Sequence, residues 1–372
     1  MIVFIHLLND RSGSPRVLAS TILTLTDSDN KSQLFIGSDG SGILDEIKVR
    51  TTRYWYRRTP YRILTLFTFF ASQFSLLSSL FRSKNIDKDA VIYVNTLLPF
   101  GAALFGWMTR RSVIYHLHEI SISPRLFQHF LKSIARLTAK KLIYVSNYHK
   151  AHLPIQGIDS CVVYNSIDDS ILEQAGKHLY EYRRSGFFNV LMLASLRDYK
   201  GVPEFVALAT RLSKRDDIRF DLVVNDDNNA IQRYFRSTTL PSNLRVHPKT
   251  SNPGTFYAQS SLVLNLSRPD KCIETFGLTL LEAMAFGIPV VAPPIGGPVE
   301  FIEDGIEGYL VDSRDTERLD ELILLLAEDA GLCERLSAAG RSRAKKFSST
   351  NFSATLRKEV LGLTLVIDHE VE

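Results

Sequence analysis

The sequence predicts an α/β protein built from two Rossmann-like domains, and three observations support this class. The chain has 372 residues, more than one hydrophobic core usually serves, so two domains are expected. Apolar runs of strand length alternate with longer segments of helical periodicity. The alternation pauses at a polar passage near 168–184 and then begins again. We therefore expect domains at 1–180 and 181–350 that face each other across a cleft, with a final helix over 351–372 that crosses back to the first domain.

The apolar runs of both domains have the length of buried strands. Runs that are apolar on both faces and separated by helices are typical of a parallel sheet covered on both sides. Ligands of such doubly wound folds bind beyond the carboxyl ends of the strands, so we expect the chemistry there. In chain order the predicted strands are 2–8, 33–36, 91–94, 113–117, 142–145 and 161–164, and then 189–193, 220–224, 244–247, 262–266, 289–292 and 308–311.

Composition and cysteine usage indicate a soluble globular protein of a reducing compartment. Hydrophobic residues make up 45% of the chain and charged residues 23%, which excludes the profiles of disordered and polytopic membrane proteins. Cys161, Cys272 and Cys333 are far apart and form no CxxC pair, so neither a disulfide framework nor a cysteine zinc site is predicted. The first ten residues are interpreted as a strand and not as a signal peptide. A cytoplasmic location is expected.

The charge is divided unevenly between the two predicted domains. Residues 1–180 hold 21 Lys and Arg against 13 Asp and Glu, whereas residues 181–372 hold 23 against 27. Within residues 51–150 the count is 15 basic against 3 acidic residues. A basic first domain favours an anionic or membrane-bound partner, whose attraction would weaken with salt. We therefore expect a peripheral position on the inner face of the cytoplasmic membrane.

Residues 63–81 form an uncharged run that is about as long as a bilayer crossing requires. Seven of its nineteen residues are Thr, Ser or Gln, and a span would separate strands that must pair, so a transmembrane helix is rejected. Two interpretations remain, a buried helix of the domain, which we prefer, and a helix that dips into the membrane interface. Basic and aromatic residues before the run favour the second and suggest membrane contact through 53–81. They are Arg53, Trp55, Tyr56, Arg57, Arg58, Tyr61 and Arg62.

The most informative segment surrounds Glu274 and Glu282. A helical apolar stripe begins near Gly277 and ends before Gly287, so Glu274 lies in the loop before the helix and Glu282 in its second turn. Eight helical residues span roughly 12 Å, wider than the carboxylate pair of a glycosidase. The two carboxylates are therefore expected to bind the two ends of a long ligand. Between them the amides of the helix start attract a phosphate, and these belong to Phe276, Gly277, Leu278 and Thr279.

This segment, with Gly296-Gly297, Glu300, Asp304-Gly305 and Gly308 after it, resembles the E-x7-E region of retaining glycosyltransferases of the GT-B fold, family 4. The resemblance implies that Glu274 contacts hydroxyls of the donor sugar and that Glu282 binds the ribose hydroxyls of the nucleotide. The alternative, a solvent-facing Glu282 and a Glu274 that only favours the helix dipole, becomes the weaker interpretation.

A second match runs from Ala194 to Gly201, after the first strand of the second domain. The family commonly has Gly-Arg there and a Lys-Gly pair five residues after the arginine, with both cations neutralising the diphosphate. Lys200 and Gly201 match, whereas Ser195 occupies the arginine position. The resemblance thus implies catalytic roles for Glu274 and Lys200, and Arg197 is the candidate to replace the missing arginine.

Three strand ends of the first domain supply further candidates. Gly13-Ser14 with Arg16 follows the first strand and is similar to the family's glycine-containing loop, which implies that Gly13 approaches the donor and that Ser14 and Arg16 meet the acceptor. His118-Glu119 ends the strand 113–117 and resembles the family's histidine near the donor sugar and acceptor, which implies a catalytic role for His118 and acceptor binding by both residues. Asn95 ends the strand 91–94 and is an acceptor-lining candidate. An ordinary tight turn or a buried histidine would explain the same residues without function.

The predicted function is transfer of a sugar, with its configuration retained, from a UDP-, GDP-, ADP- or dTDP-sugar to a hydroxyl of a glycan or polyprenyl-linked acceptor. Surface polysaccharide synthesis, such as that of lipopolysaccharide O-antigen or capsule, is the expected pathway. No metal site or cofactor is expected, because Asp226-Asp227 is interpreted as a turn near a nucleobase pocket that includes His247. A GT-B-fold epimerase or phosphorylase and a non-catalytic basic binding protein are the alternatives. No nucleic-acid module is recognised, so nucleic acid is not an expected partner.

Overall fold

The computed structural model describes residues 1–26 and 32–369, which form two compact units. Unit 1 contains residues 1–165 and the C-terminal segment that begins at Thr350, and unit 2 contains Ser166–Ser349. Each unit has its own parallel sheet and its own buried hydrophobic core. The two α/β domains that the sequence predicts are therefore present.

Unit 1 is built on seven parallel strands among the described residues. They are β1 (Ile2–His6), β2 (Gln33–Gly37), β3 (Arg50–Tyr54), β4 (Val91–Asn95), β5 (Val113–Leu117), β6 (Lys141–Tyr144) and β7 (Asp159–Val162). The spatial order is β3-β2-β1-β4-β5-β6-β7, so the chain switches direction between β1 and β4. Every residue of β1, β4 and β5 is buried, as strands covered on both faces require. The helices of this unit before Asn165 are α1 (Gly13–Leu25), α2 (Arg62–Arg82), α3 (Phe100–Met108), α4 (Arg125–Thr138) and α5 (Asn147–His152).

The sequence did not predict β3. Its residues, Arg50–Tyr54, read RTTRY, and only Tyr54 is buried. The strand pairs with β2 on one side and lies at the edge of the sheet, where polar side chains are tolerated. An edge strand lacks the apolar run by which the central strands were recognised, which is why it escaped detection.

Unit 2 has six parallel strands among its described residues, in the spatial order β10-β9-β8-β11-β12-β13. The strands are β8 (Phe188–Ala194), β9 (Ile218–Val224), β10 (Leu244–His247), β11 (Leu262–Leu264), β12 (Val290–Ala292) and β13 (Gly308–Leu310). The helices are α6 (Asp169–Gly176), α7 (Val202–Arg211), α8 (Asn228–Tyr234), α9 (Gly254–Tyr257), α10 (Leu278–Ala285), α11 (Thr316–Glu328) and α12 (Ala330–Ala344). All six strands coincide with the predicted apolar runs to within a few residues.

The boundary between the domains lies earlier than the sequence suggested. The prediction placed it after residue 180, whereas unit 2 begins at Ser166. Helix α6 packs against α9 and α10 of unit 2, so this segment belongs to the second domain. Arg341 helps to hold it there, because its guanidinium donates to the carbonyl oxygens of Ala175 at 3.4 Å and His178 at 3.1 Å.

The last helix, α13 (Ser349–His369), is counted with unit 1 from Thr350 onward. Its Glu359 carboxylate accepts from the Lys141 ammonium, which also pairs with Asp159 at 3.2 Å. Ser353 and Thr24 exchange a hydroxyl hydrogen bond of 2.9 Å. The predicted helix at 351–372 is thus joined to the first domain by polar contacts as well as by burial of Phe352, Leu356 and Val360.

Helix α2 is only partly covered by the rest of unit 1. Leu76 and Leu80 are fully buried, but Ile63, Phe67, Phe74 and Phe81 are between 52% and 75% exposed. Phe67, Phe74 and Phe81 are seven residues apart and Ile63 is four residues before Phe67, so the four side chains form one apolar stripe along the helix. By length and composition α2 could cross a membrane, with a mean hydropathy of 1.6, yet its ends connect to strands of the same sheet. The preferred prediction of a buried helix was therefore wrong for one of its faces.

Candidate functional site

The central feature of unit 2 is an ion pair between two of the residues predicted to be catalytic. The Lys200 ammonium lies 3.0 Å from Oε2 of Glu274. The same oxygen accepts from the Asn265 amide at 3.2 Å and from the Ser267 hydroxyl at 3.4 Å. Asn265 and Ser267 follow β11 directly, at the carboxyl end of the sheet. Sequence reasoning missed both, although the strand-end rule that found the other candidates applies to them equally.

A glycine brings Lys200 to this position. Gly201 has φ of +81°, and a Cβ atom there would lie 2.1 Å from the carbonyl oxygen of Leu266. Only glycine therefore allows the turn at 198–201 to press against the segment after β11. This turn lies between β8 and α7, so the lysine is held between two regular elements.

Two glycines hold Glu274 from the other side. The Gly297 amide donates to the Glu274 carbonyl oxygen at 2.8 Å, and Gly296 has φ of +102°. A Cβ on Gly296 would lie 2.3 Å from that carbonyl oxygen, and one on Gly297 would lie 2.2 Å from the Thr275 carbonyl oxygen. The Gly296-Gly297 pair in the recognised motif thus serves close backbone packing behind the Glu274 loop.

The electrostatics of the pair keep both groups charged. Burial opposes ionisation of Glu274, but the Lys200 ammonium and the hydrogen bonds outweigh it, so the pKa of Glu274 is held below its ordinary value. Burial likewise opposes the charge of Lys200, and the Glu274 carboxylate raises the lysine pKa above its ordinary value. A carboxylate with a lowered pKa is a poor proton donor at neutral pH. Glu274 is therefore suited to accepting hydrogen bonds and not to protonating a leaving group.

Helix α10 begins where the sequence predicted, four residues after Glu274. Gly277 caps it with φ of +101°, and the first intrahelical bonds run from the amides of Leu280 and Leu281 to the Gly277 carbonyl. The amides of Leu278 and Thr279 precede those bonds and belong to the free turn that every helix start carries. The Phe276 ring is buried against Phe301 at a centroid distance of 5.7 Å and anchors the turn.

Glu282 lies in the second turn of α10, as predicted, and is almost fully buried. The Tyr257 hydroxyl donates to its Oε2 at 2.8 Å. Tyr257 ends α9, and sequence reasoning did not identify it, because a tyrosine within a short helix carries no distinctive pattern.

The other predicted donor residues of unit 2 lie at strand ends, apart from the ion pair. Ser195 follows β8, and its carbonyl accepts from the Arg197 amide at 2.7 Å. The Arg197 side chain is exposed, and its guanidinium donates to the Leu196 carbonyl at 3.0 Å. His247 ends β10 and its Nε2 lies 2.6 Å from Asp221. The predicted turn at 226–227 is present, and the Asp227 side chain caps α8.

In unit 1 the structure brings together the ends of β1, β4 and β5. His118 Nε2 lies 2.8 Å from Oδ1 of Asn95, and Asn95 Nδ2 lies 3.1 Å from His6 Nδ1. Asn95 Nδ2 also donates to the Ser14 carbonyl at 3.2 Å. Asn95 is fully buried, so the prediction that it lines an acceptor is corrected: its amide serves contacts within the protein.

The remaining candidates of unit 1 are His118, Glu119 and the start of α1. Burial is the main cause that lowers the pKa of His118 well below its ordinary value, with neighbouring histidines adding to it. Burial raises the pKa of the half-buried Glu119 to about 7. Gly13, Ser14 and Arg16 start α1, and a Cβ on Gly13 would meet nothing within 4 Å. Open space in front of this backbone leaves room for a ligand.

Within residues 1–26 and 32–369, no group of three or more His, Cys, Asp and Glu side chains has the arrangement of a metal site. Metal independence stays a prediction.

Comparison with known proteins gives a family match to unit 2. Residues 182–343 match the model of a family described as Glycosyl transferases group 1. N-acetyl-alpha-D-glucosaminyl L-malate synthase of Bacillus anthracis is 28% identical over 213 residues, which are 55% of this chain and 53% of that protein. Sucrose synthase of Beta vulgaris is 40% identical over 76 residues, 20% of this chain and 10% of that protein. The chain thus spans about half or less of the length of these curated relatives.

Solved structures agree over nearly the whole chain. Anabaena HepE, in a crystal structure with UDP and glucose, aligns with a TM-score of 0.77 at 18% identity, covering 96% of this chain and 98% of its own. Sucrose-phosphate synthase from Thermosynechococcus elongatus aligns with a TM-score of 0.76 at 15% identity, covering 98% and 99%. At such identities the likeness establishes the fold alone, and it confirms the prediction of the GT-B class.

Proposed function

Because residues 182–343 match the family model of glycosyl transferases group 1, we propose that the protein transfers a sugar from a nucleotide sugar to a hydroxyl of a glycan or lipid-linked glycan. The observation that carries the proposal is the Lys200–Glu274 pair, whose glutamate lies four residues before the start of α10. It combines a cation, a hydroxyl-binding carboxylate and free helix amides at the carboxyl end of one parallel sheet.

Each part of this arrangement suits one part of a nucleotide sugar. Lys200 and the amides of Leu278 and Thr279 would bind the diphosphate, whose charge grows as the glycosidic bond breaks. Glu274 would accept from sugar hydroxyls through the oxygen that its three protein donors leave open. Glu282 would accept from the ribose hydroxyls, with Tyr257 fixing its carboxylate.

We propose that the reaction retains the anomeric configuration. The acceptor oxygen forms a bond to the anomeric carbon as the bond from that carbon to the diphosphate oxygen breaks, and the electron pair leaves with the diphosphate. The acceptor proton passes to a phosphate oxygen on the same face. Because the pKa of Glu274 is lowered, this residue stays ionised and takes no proton in the step. No enzyme nucleophile and no metal is required.

The donor can be identified by a thermal-shift panel of UDP-, GDP-, ADP- and dTDP-sugars with matched free sugars as controls. A ligand that binds only the folded state stabilises it by RT ln(1 + [L]/Kd), or about 2.7 kcal/mol at a hundredfold excess over Kd. One nucleotide series should raise the melting temperature, and Glu282→Gln should lower that response. If none of the four series stabilises the protein, the proposed donor class is wrong.

We further propose that unit 1 contacts an anionic membrane surface, which would present a polyprenyl-linked acceptor for surface-polysaccharide synthesis on the cytoplasmic face. Helix α4 adds exposed apolar side chains, since Leu126 is 83% exposed and Phe130 is 40% exposed. The Phe130 ring also contacts Phe70 of α2, with the ring centroids 6.0 Å apart and the rings tilted. The exposed Arg125 and Arg136 of α4 add positive charge beside this apolar face. Apolar side chains flanked by arginines are the composition that interfacial helices use.

Vesicle co-sedimentation tests this surface. The wild-type protein should bind phosphatidylglycerol-containing vesicles at low salt and release partly at high salt. Phe67→Ser combined with Phe74→Ser should weaken binding by roughly tenfold or more, because each buried aromatic contributes about 1.5–3 kcal/mol. Leu325→Ser, at an exposed position on α11 of unit 2, is the matched control. Equal vesicle binding by the double variant of α2 and by Leu325→Ser, or no vesicle binding by the wild type, would contradict the proposed membrane contact.

A further inference from the structure

The buried Asn95 side chain joins three elements of unit 1 at the carboxyl edge of its sheet. Its amide contacts His118 after β5, His6 at the end of β1 and the Ser14 carbonyl in the first turn of α1, all within 3.2 Å. No solvent reaches it. A buried amide whose atoms all face protein groups has one orientation, and that orientation decides which partners donate and which accept.

The Ser14 carbonyl sets the orientation. A carbonyl oxygen can only accept, so the Asn95 atom that lies 3.2 Å from it must be the amide nitrogen. The amide oxygen then faces His118 Nε2 at 2.8 Å, and that nitrogen must carry a hydrogen. A neutral imidazole carries one ring hydrogen, so Nδ1 of His118 is left with a lone pair.

His118 is held neutral by the groups around it. Burial comes first among the causes that lower its pKa, and His116, His6 and His149 follow. Glu119, the adjacent carboxyl group, has a pKa of about 7 and is partly protonated near neutral pH. A neutral ring with a fixed hydrogen presents one defined acceptor atom.

The backbone beside Asn95 is strained. Thr96 has φ of +73°, a region that β-branched residues rarely occupy, and its amide donates to the His116 carbonyl at 2.8 Å. Strained residues persist where the surroundings over-determine them, often beside functional groups. The backbone at the end of β4 is therefore held in one conformation, in which the Asn95 side chain bonds both Ser14 of α1 and His118.

We infer that Asn95 is a positioning residue that fixes His118 as the Nε2–H tautomer, so that His118 Nδ1 accepts a hydrogen bond from a sugar hydroxyl and rejects anionic oxygens. The Asn95 amide also bonds the Ser14 carbonyl, so it links the histidine ring to the first turn of α1. The inference rests on the proposed function for the identity of the hydroxyl, but the tautomer is a property of the protein alone.

Nitrogen-15 NMR of the histidine rings measures the tautomer directly in the full-length chain, with His118→Gln to assign the signal. The wild type should show His118 with a protonated Nε2 and an unprotonated Nδ1 at pH 7. Asn95→Ser removes both amide atoms and should give mixed tautomers. An Nδ1–H tautomer in the wild type, or an unchanged tautomer in Asn95→Ser, would overturn the inference.

Kinetics distinguish positioning from a structural role. Asn95→Ser should lower kcat about 10- to 100-fold, the usual loss when a group that orients a functional side chain is removed. Asn243→Ser is the matched control, because Asn243 of unit 2 is a partly buried amide bonded to the Ala209 carbonyl. It should lower stability and leave kcat unchanged. An equal loss of kcat in both variants would assign Asn95 a structural role only.

Asn95→Asp supplies a readout that stability alone would not move. The carboxylate still accepts from Nε2–H but adds a negative charge, which raises the pKa of His118. The acidic limb of the kcat/KM profile should therefore move at least one pH unit toward neutral. A profile that superimposes on that of the wild type would contradict the inference. If the NMR signals are as expected while no nucleotide sugar binds, the proposed function fails and the assigned tautomer stands.

Discussion

Replacing Lys200 by methionine tests the ion pair of unit 2 most sharply, because methionine keeps an unbranched side chain of nearly the same length and removes the charge. The ammonium lies 3.0 Å from the Glu274 carboxylate. Two unit charges at that distance attract by about 5 kcal/mol at an effective dielectric constant of about 20. Removing the ammonium leaves the Glu274 carboxylate buried without its counter-charge, and both side chains are partly exposed, so we expect the variant to lose about 3 kcal/mol of unfolding free energy.

The folded variant should also lose catalytic rate. Removal of one preorganised group that stabilises transition-state charge typically lowers kcat roughly 100- to 1,000-fold. The assay is initial-rate measurement at saturating donor, with the exposed Lys271→Met as control for the loss of a nearby surface charge. A kcat for Lys200→Met within threefold of the control value would refute the role of this ammonium.

The pH dependence of stability provides a second, independent check. In the wild type the pKa of Glu274 lies below its ordinary value of 4.5, so its contribution to stability is complete above pH 4.5 and is lost as the pH falls through the lowered pKa. Without Lys200 the effect of burial dominates, and the pKa of Glu274 should rise above 4.5. The ionised group then opposes folding at pH 7, and acidification toward pH 4.5 relieves that opposition.

The difference in unfolding free energy between wild type and Lys200→Met should therefore shrink as the pH falls from 7 toward 4. Both tryptophans, Trp55 and Trp107, lie in unit 1, so circular dichroism is a better probe of unit 2 than fluorescence. A difference that stays constant across this range would contradict the assigned electrostatics.

Three further predictions follow from the same geometry. Tyr257→Phe should weaken donor binding several-fold and leave turnover of bound donor nearly unchanged. The substitution removes a hydrogen bond to Glu282 and not one to the reacting atoms. Isothermal titration measures the donor affinity, and the rate at saturating donor measures the turnover. Gly201→Ala should destabilise unit 2 by several kcal/mol more than the control Gly186→Ala. Both glycines have φ near +80°, but only a Cβ on Gly201 would meet backbone, at 2.1 Å from the Leu266 carbonyl oxygen. Equal melting temperatures of the two variants would contradict this prediction. Turnover should survive dialysis against a chelator, and a loss that manganese restores would end the claim of metal independence.

The fold was predictable because central parallel strands are apolar on both faces. The runs at 91–94 and 113–117 coincide with β4 and β5, which lie at the centre of the sheet. Strand β3 and the end of the first domain were not predictable in the same way. The edge strand is polar, and the side on which α6 packs depends on contacts with α9 and α10 that are distant in sequence.

The site was predictable where spacing carries the information. Glu274, Lys200 and Glu282 were found from motif spacing, and Lys200 and Glu274 prove to be in contact. Asn265 and Tyr257 were missed, because a single amide or phenol at a strand or helix end has no pattern of its own. Strand-end position also proved ambiguous for Asn95, since a polar residue there can face a ligand or, as this one does, the interior.

The central claim is that unit 2 binds a nucleotide sugar and that Lys200 acts on its diphosphate. Mass spectrometry of nucleoside diphosphate released from each of the four classes of sugar donor, with and without membrane-extracted acceptor lipid, tests it most directly. We predict release from one class by the wild type and by Lys271→Met, at least 100-fold slower release by Lys200→Met, and matching transfer of the sugar to the acceptor. Release at the same rate by Lys200→Met, or no release from any class, would contradict the claim.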